Sequence, residues 1–203
     1  MAIKIDAYPN ASKIAEVSGQ RARRLSSLRL HHAVLEECER AMQEWLAIPE
    51  TNASARSLLV AGVATKYFSC FGRNSASGPL NAAKIFGSDS NAMECFDFWK
   101  AVRDNHIAHD VSTLSQPQSL VAIGPNGEFV DVVSLTIRAN IASDSETNNV
   151  LYQLIWRTMK WVETAIEKAV EGLREEVAAM TDEQRLALKE ARYTAPSGPH
   201  SHR

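Results

Sequence analysis

Residues 145–179 read SETNNVLYQLIWRTMKWVETAIEKAVEGLREEVAA, and this stretch does most to decide the fold class. Its apolar residues recur every three or four positions, which is the spacing of one face of an α-helix. They are Leu151, Ile155, Met159, Val162, Ile166, Val170, Leu173 and Val177. The spacing predicts a long last helix that starts near Asp144 or Ser145 and extends roughly 50 Å at 1.5 Å per residue. Its apolar stripe is suited to the inside of a bundle or to a dimer interface.

Immediately before this helix, the apolar period changes from three or four residues to two. The turn sequence GPNG occupies 124–127, and Ser119 to Ile123 can supply a partner strand on its other side. One side of the second strand takes Phe129, Val133, Leu135 and Ile137, and the other takes Ser134, Thr136 and Arg138. We therefore predict a β-hairpin at about 119–138, inserted between helices and not forming a second domain.

Helical spacing also dominates the first half of the chain. A long first helix is predicted from about Ser12 or Arg21 to Ile48, where Pro49 ends it. Its apolar stripe consists of Leu28, Leu35, Met42 and Trp45, with Val34, Cys38 and Leu46. Further helices are expected at about 53–73, between Pro79 and Gly87, and at about 90–111.

The fold class is thus mostly α, a helical bundle with long first and last helices and the inserted hairpin. Thr181 and Gln184 fit a capping box, which predicts a short final helix to about Tyr193. We assign residues 1–193 to a single helical domain. Residues 194–203 contain two prolines and no large apolar side chain, so a disordered tail is expected there.

Composition excludes several classes of protein. A chain of 203 residues can bury a sizeable core without a disulfide or metal staple. The longest apolar run covers only residues 58–64, which is too short to span a membrane, and the N-terminus lacks a signal-peptide pattern. Three widely spaced cysteines are typical of free thiols in a reducing cytosol. We therefore expect a cytoplasmic protein.

The charge balance of 22 Lys and Arg against 24 Asp and Glu argues against a generally basic nucleic-acid binder. The charge balance does not exclude a local RNA site. The first helix carries Arg21, Arg23, Arg24 and Arg29, with no acidic residue between Glu16 and Glu36. Such a run is either a solvated helix face or a patch that binds RNA phosphates.

The segment FDFWKAVRDNHIAHD, residues 96–110, carries the side chains best suited to chemistry. On a helix, one face takes Cys95, Trp99, Val102, His106 and His109, so an apolar stripe ends in two imidazoles. His106 also has a structural interpretation, because Asp110 lies four residues later and can accept its N–H.

Within this segment, Arg103 to His109 form the pattern R-x5-H, with Asp104 directly after the arginine. The pattern resembles the motif of the HEPN superfamily of helical nucleotide-binding and ribonuclease domains. The phrase HIAHD at 106–110 looks most like the abortive-infection, or anti-phage, branch of that group. The specific resemblance covers about residues 96–111, and the inserted hairpin departs from the more compact arrangement expected of the family.

The resemblance implies an endoribonuclease of toxin or anti-phage type that needs no metal or cofactor and acts at a homodimer interface. His109 would transfer protons at the ribose 2′-oxygen or the leaving 5′-oxygen, because imidazole titrates near neutral pH. Arg103 would stabilise the phosphorane with its forked donors. Asp104, Asn105, His106 and Asp110 would support the site. The family also implies an antitoxin partner such as a nucleotidyltransferase.

Helix geometry constrains this hypothesis. On an ideal α-helix, residues 103 and 109 lie roughly 120° apart and about 9 Å along the axis. They converge on one phosphate only through the reach of the arginine, a helix irregularity, or the pairing of two chains.

Two other classes of function remain open at this point. The dipeptide His109-Asp110 suggests a metal-dependent phosphohydrolase, and a di-metal site would need His32, Glu36, His106 and His109. No Glu-x-x-His pair occurs in the chain, and no histidine lies between His32 and His106, so the spacing disfavours metal chemistry. The other alternative is a non-catalytic helical domain of the same fold that binds a nucleotide or a partner.

Overall fold

The computed structural model describes residues 11–72, 78–107, 115–138 and 145–192. Within these ranges the chain is mostly helical, with a single antiparallel hairpin of two strands. This confirms the predicted fold class. The α-helices are α1 (Gln20–Ala47), α2 (Ala53–Ser69), α3 (Ala82–Phe86), α4 (Ser90–Val102), α5 (Ser145–Ala178) and α6 (Asp182–Ala187); a π-helical turn spans Arg103–Ile107, and the strands are β1 (Ser115–Ile123) and β2 (Phe129–Arg138).

Polar side chains start several of these helices where the sequence offers a cap. Asn52, Asn81 and Asp89 each accept a hydrogen bond from the backbone N–H three residues later, at 3.3, 3.1 and 3.0 Å. Thr181 and Gln184 form the predicted capping box at the start of α6. Such caps satisfy N–H groups that have no partner inside the helix.

The described residues form two compact units. One unit consists of residues between 27 and 164, and the other combines those before 27 with those after 164. The assignment of residues 1–193 to a single domain stays a prediction, and the predicted tail at 194–203 lies outside the described residues.

The core of the larger unit contains a cluster of aromatic side chains from α2, α3 and α4 and the loop after α2. Phe96 lies at its centre, with ring centroids 4.8–6.5 Å from those of Tyr67, Phe68, Phe71 and Phe86. Several of these pairs are edge-on or tilted, which is the arrangement that the charge distribution of aromatic rings favours. The cluster packs α2 against α4 at Phe96, which is the first residue of the segment that carries the R-x5-H motif.

The long helices contribute the rest of this core. In α1, the predicted stripe is buried at Leu28, Leu35, Cys38, Met42 and Trp45, whereas Leu46 is 74% exposed. The prediction for Leu46 was wrong because a residue next to Trp45 lies about 100° from it around the helix. In α5, the residues that this core buries again follow the predicted stripe: Leu151, Ile155, Met159 and Val162. Ile166, the next residue of the stripe, belongs to the smaller unit and is also buried.

A buried hydrogen bond joins α2 to α5. The hydroxyl groups of Tyr67 and Thr158 lie 3.0 Å apart, and Thr158 also donates to the carbonyl of Leu154 at 2.8 Å. Burial raises the pKa of Tyr67 far above its ordinary value, so the phenol remains protonated and able to donate.

The hairpin is confirmed, although β1 begins four residues earlier than predicted, at Ser115. The five-residue connection places Gly127 at φ 86°, a conformation that glycine adopts without steric cost. Ala122 pairs with Asp131, but Ile123 pairs with Phe129, so Val130 is an extra residue in β2. This β-bulge moves Phe129 to the face opposite the one predicted, because partners across a ladder point to the same side.

In the smaller unit, charged side chains bind backbone carbonyl groups that helix ends leave free. Arg185 donates to the carbonyls of Val177 at 3.2 Å and Met180 at 2.6 Å, at the end of α5. Lys13 donates to the carbonyls of Leu186 and Leu188 at 2.6 and 2.7 Å. These contacts satisfy acceptors that an α-helix cannot pair internally.

Cys38, Cys70 and Cys95 are free thiols, as predicted. Cys38 and Cys70 are buried, and burial raises the pKa of each thiol to about 12. No helix in the described ranges combines the length and the apolar character needed to cross a bilayer.

Candidate functional site

The R-x5-H motif begins where the backbone changes from an α-helix to a π-helix. α4 ends at Val102, and the π turn covers Arg103 to Ile107. A π turn closes hydrogen bonds from residue i to i+5, so it takes more residues per turn than an α-helix. The offset of 120° calculated for an ideal helix therefore does not apply after Arg103. Single π turns inside α-helices are frequent at functional sites.

Arg103 is held between an aromatic ring and a carboxylate. Its guanidinium carbon lies 5.7 Å from the centroid of the Phe68 ring, within the range of a cation–π contact. Its Nη1 lies 2.9 Å from Oδ1 of Asp104, and 28% of the arginine side chain is exposed. The Nε atom is buried and has no hydrogen-bond partner among the described residues. The side chain is thus oriented from two sides.

Asp104 connects two cations. Its Oδ2 accepts a hydrogen bond from Nζ of Lys100 at 2.8 Å, while Oδ1 faces Arg103. These three side chains carry one net positive charge, although the whole chain has a formal charge of −2. The structure therefore places a small basic group at the motif. Because salt screens charges that lie far apart, this group can attract a phosphate locally although the net charge of the whole chain is negative.

The remaining residues of the motif are described only in part. Asn105 is exposed beside Asp104. The side chain of His106 and all of His109 and Asp110 lie outside the described residues. The structure thus brings Arg103 and Asp104 together.

Sequence reasoning missed two residues of this site. Lys100 could have been found, because it lies four residues before Asp104 and such pairs meet on a helix. Phe68 had no such signal, since its contact with Arg103 depends on how α2 packs against the π turn.

The arginines of α1 differ in their surroundings. Arg21 donates to the carbonyl of Gly172 at 2.7 Å and lies 3.9 Å from Glu176, so it has a structural role in the smaller unit. Arg23, Arg24 and Arg29 are exposed, and no ion pair engages them within the described part of the chain. These three remain available as RNA-binding candidates.

The metal alternative depends on His32, whose ring lies between two carboxylates. Nδ1 is 3.6 Å from Glu36, and Nε2 is 3.6 Å from Glu163. Glu163 is also paired with Lys160 at 2.8 Å, and these hydrogen-bonding partners hold the pKa of its carboxyl below the usual range. Across the residues that the structure describes, no group of three or more potential ligands has a geometry that could hold a metal ion.

A groove of about 450 Å³ lies between the C-terminal part of α1 and the first turns of α5. Its volume falls in the range of small-molecule sites. Trp45 forms part of its wall and stacks on the guanidinium of Arg56 at 3.9 Å. The lining residues are Met42, Trp45, Leu46, Glu146, Asn148, Asn149 and Tyr152.

No protein-family model, curated protein or solved structure matches this chain.

Proposed function

We propose that this protein is a cytoplasmic, metal-independent endoribonuclease of toxin or anti-phage type, similar to HEPN domains. Arg103 and His109 would act on RNA at the interface of a homodimer. The observation that carries the proposal is the setting of Arg103, which lies at the start of a π turn, stacks on Phe68 and is paired with Asp104.

The proposed reaction is an internal transfer at phosphorus. The ribose 2′-oxygen forms a bond to phosphorus, and the bond from phosphorus to the 5′-oxygen breaks. A histidine accepts the proton of the 2′-hydroxyl, and a protonated histidine donates one to the leaving 5′-oxygen. The products carry a 2′,3′-cyclic phosphate and a 5′-hydroxyl, so no water, metal or redox partner is consumed.

Arg103 is suited to the charge that develops in this reaction. The planar fork of its guanidinium matches two oxygens of a phosphate. The stacking on Phe68 limits the orientations of the side chain, so less order is lost on binding.

RNA binding would use a few positive charges close to the motif. Lys100 is about half exposed and shares Asp104 with Arg103, which makes it an additional phosphate contact. Arg23, Arg24 and Arg29 are also exposed and are separate candidates for contacts with RNA. An antitoxin such as a nucleotidyltransferase would be expected to cover the same positive group.

The proposal is tested by expressing the wild type, Arg103→Ala and His109→Ala in bacteria and sequencing RNA 5′-hydroxyl ends. We expect cleavage to fall by about 10²- to 10³-fold without the arginine and about 10²- to 10⁴-fold without the histidine. Arg174→Ala is the matched control, because that arginine is 73% exposed and pairs with Glu171 on the surface of the same helix.

Purified wild type should cut the same RNA in the presence of a metal chelator. Ends that appear equally with the wild type and His109→Ala would overturn the assignment of the histidine. The absence of any ends specific to the wild type would overturn the nuclease for the RNAs present.

The groove beside Trp45 favours a second candidate, a non-catalytic domain that binds a nucleotide or a partner. Tyr152 is partly exposed on its wall and is suited to stacking a base. This candidate predicts that purified protein binds a nucleotide in titration calorimetry, loses that binding in Tyr152→Leu, and leaves RNA uncut. Cleavage by a protein that binds no free nucleotide would contradict it.

A further inference from the structure

Asp104 holds two cations with a single carboxylate. Its Oδ1 lies 2.9 Å from Nη1 of Arg103, and its Oδ2 accepts a hydrogen bond from Nζ of Lys100 at 2.8 Å. Each oxygen of the carboxylate thus has a cationic partner of its own. The three side chains are between 28% and 49% exposed, so a ligand in solution can reach them.

Helix geometry explains only one of these two contacts. Lys100 and Asp104 are four residues apart, a spacing at which side chains meet on any α-helix. Arg103 and Asp104 are adjacent, and adjacent residues of an α-helix point about 100° apart. The guanidinium nevertheless reaches the carboxylate at the start of the π turn, where it also lies 5.7 Å from the centroid of the Phe68 ring. Lys100 and Arg103 therefore converge on one position, which Asp104 occupies.

A phosphate group would satisfy the same two cations. A carboxylate and a phosphodiester each present two oxygens that share a negative charge, and the fork of a guanidinium fits either group. The ammonium group of a lysine pairs with either as a point charge. The arrangement that Asp104 imposes on Lys100 and Arg103 is therefore the arrangement that a phosphate requires.

We propose that Asp104 is an internal substitute for the substrate phosphate. Its carboxylate occupies Lys100 and Arg103 while no RNA is bound, keeps the two cations together, and is displaced from them by a phosphodiester of RNA. Asp104 therefore lowers the affinity of the site for phosphate, which also favours release of the product. The identification of that phosphate as part of RNA rests on the proposed function.

The charges at the motif agree with a site that binds phosphate weakly. Two cations and one carboxylate carry one net positive charge, and the same site would carry two if the carboxylate were neutral. Ion pairs at partly exposed positions contribute little to stability, because water competes for both charges. An incoming strand can therefore displace the carboxylate, but it binds more weakly than it would to the two cations alone.

The test compares purified wild type with Asp104→Asn in the binding of a fluorescein-labelled single-stranded DNA of about 12 nucleotides, measured by fluorescence anisotropy. DNA lacks the 2′-hydroxyl that the proposed reaction uses, so the probe stays uncut. Asp104→Asn should bind it about five- to tenfold more tightly at low salt, because the competing charge is gone. The plot of log K against log salt concentration should also steepen by about 0.7, as expected for one further phosphate contact on a single strand.

Glu94→Gln is the matched control for net charge. Glu94 is exposed on α4, ten residues before Asp104, which is about 15 Å along an ideal helix. That separation exceeds the distance over which exposed charges interact at 0.1 M salt, so the affinity for DNA should change by less than about twofold. In a Lys100→Met background, the gain from Asp104→Asn should shrink to about twofold or less, because one of the two released cations is then absent.

Asp104→Ser covers the case in which asparagine disturbs the π turn, and circular dichroism reports whether each variant is folded. The serine also removes the charge, so it should increase the affinity for DNA as the asparagine does. Affinities at or below that of the wild type in both folded variants would overturn the proposal. An equal gain from Glu94→Gln would overturn it as well, because net charge alone would then explain the effect.

RNA cleavage by the same samples separates the internal substitute from the nuclease. Removing a competitor strengthens the binding of substrate and transition state alike, so KM should fall by the factor seen with DNA and kcat should not rise. A lower kcat with unchanged DNA affinity in Asp104→Asn would show that Asp104 serves the chemical step, and would overturn the proposal. Tighter DNA binding by Asp104→Asn, together with a wild type that never cuts RNA, would support the internal substitute and contradict the nuclease.

Discussion

The aromatic cluster and the β-hairpin use the same kind of residue in opposite ways. Phe96 is 4% exposed and is surrounded by four other rings, whereas Phe129 is 67% exposed at the end of a ladder. The helices bury their apolar residues against one another. The helical part of the chain can therefore be stable alone. The hairpin leaves its apolar residues facing outward, and their contribution to stability depends on what lies against them.

The largest expected effect is the difference between these two phenylalanines in what their loss costs in free energy of unfolding. Phe96→Ala should lower the free energy of unfolding by about 3–5 kcal/mol, because it leaves a cavity at the centre of the cluster. Phe129→Ala should change it by no more than about 0.5 kcal/mol in the single chain, as is usual for exposed positions. Urea unfolding at low protein concentration measures both, and similar losses for the two variants would contradict the comparison.

A smaller effect is expected where the cluster meets the candidate site. Phe68→Leu keeps most of the buried volume but removes the aromatic face under Arg103. A cation–π contact contributes about 0.5–1 kcal/mol at partly exposed sites, so RNA cleavage should fall by roughly two- to fivefold. The same substitution in an Arg103→Ala background should cause no further loss of cleavage. A further loss of equal size would show that Phe68 acts through the fold and not through the arginine.

The smallest effect is expected at Asp89, which caps α4 and pairs with Arg157 at 2.7 Å. The hydrogen bond from the N–H of Ala92, followed by that from Arg157, holds the pKa of this carboxyl below its ordinary value of 3.8. A lowered pKa stabilises the folded chain fully above pH 3.8, and this contribution is lost as the pH falls through the pKa of the folded state. Asp89→Asn keeps the cap, so its stability difference from the wild type should be constant near neutral pH and shrink only below about pH 4.

Thermal unfolding between pH 2.5 and 7 measures this difference. A difference that stays constant through the acid range would show that the charge of Asp89 contributes nothing.

Periodicity predicted most of the fold because long elements bury one face regularly. The stripe from Leu151 to Val162 identified α5, and alternation with a GPNG turn identified the hairpin. The bulge at Val130 was not predictable in the same way, since one additional residue leaves the composition of the strand unchanged. The bulge places Phe129 on the face of the hairpin opposite the predicted one. Phe129 is the exposed residue that the comparison sets against the buried Phe96.

The candidate site was predictable only in its local part. Arg103 and Asp104 are neighbours in sequence and lie together in the structure. The π turn depends on how the end of α4 packs, and the contact with Phe68 joins residues that are far apart in sequence. Neither follows from the spacing of apolar residues.

The bulge at Val130 also has a genetic consequence. Loss of that one codon would restore regular pairing and leave Phe129 opposite Ile123, on the side of Val121 and Val132, with every other residue of the hairpin retained. Loss of one codon within α5 would instead rotate every following side chain by about 100° and misplace the whole stripe. A single-codon deletion at the bulge can therefore leave the other side chains of the hairpin on their faces, while selection for a packed core removes such deletions from the long helices.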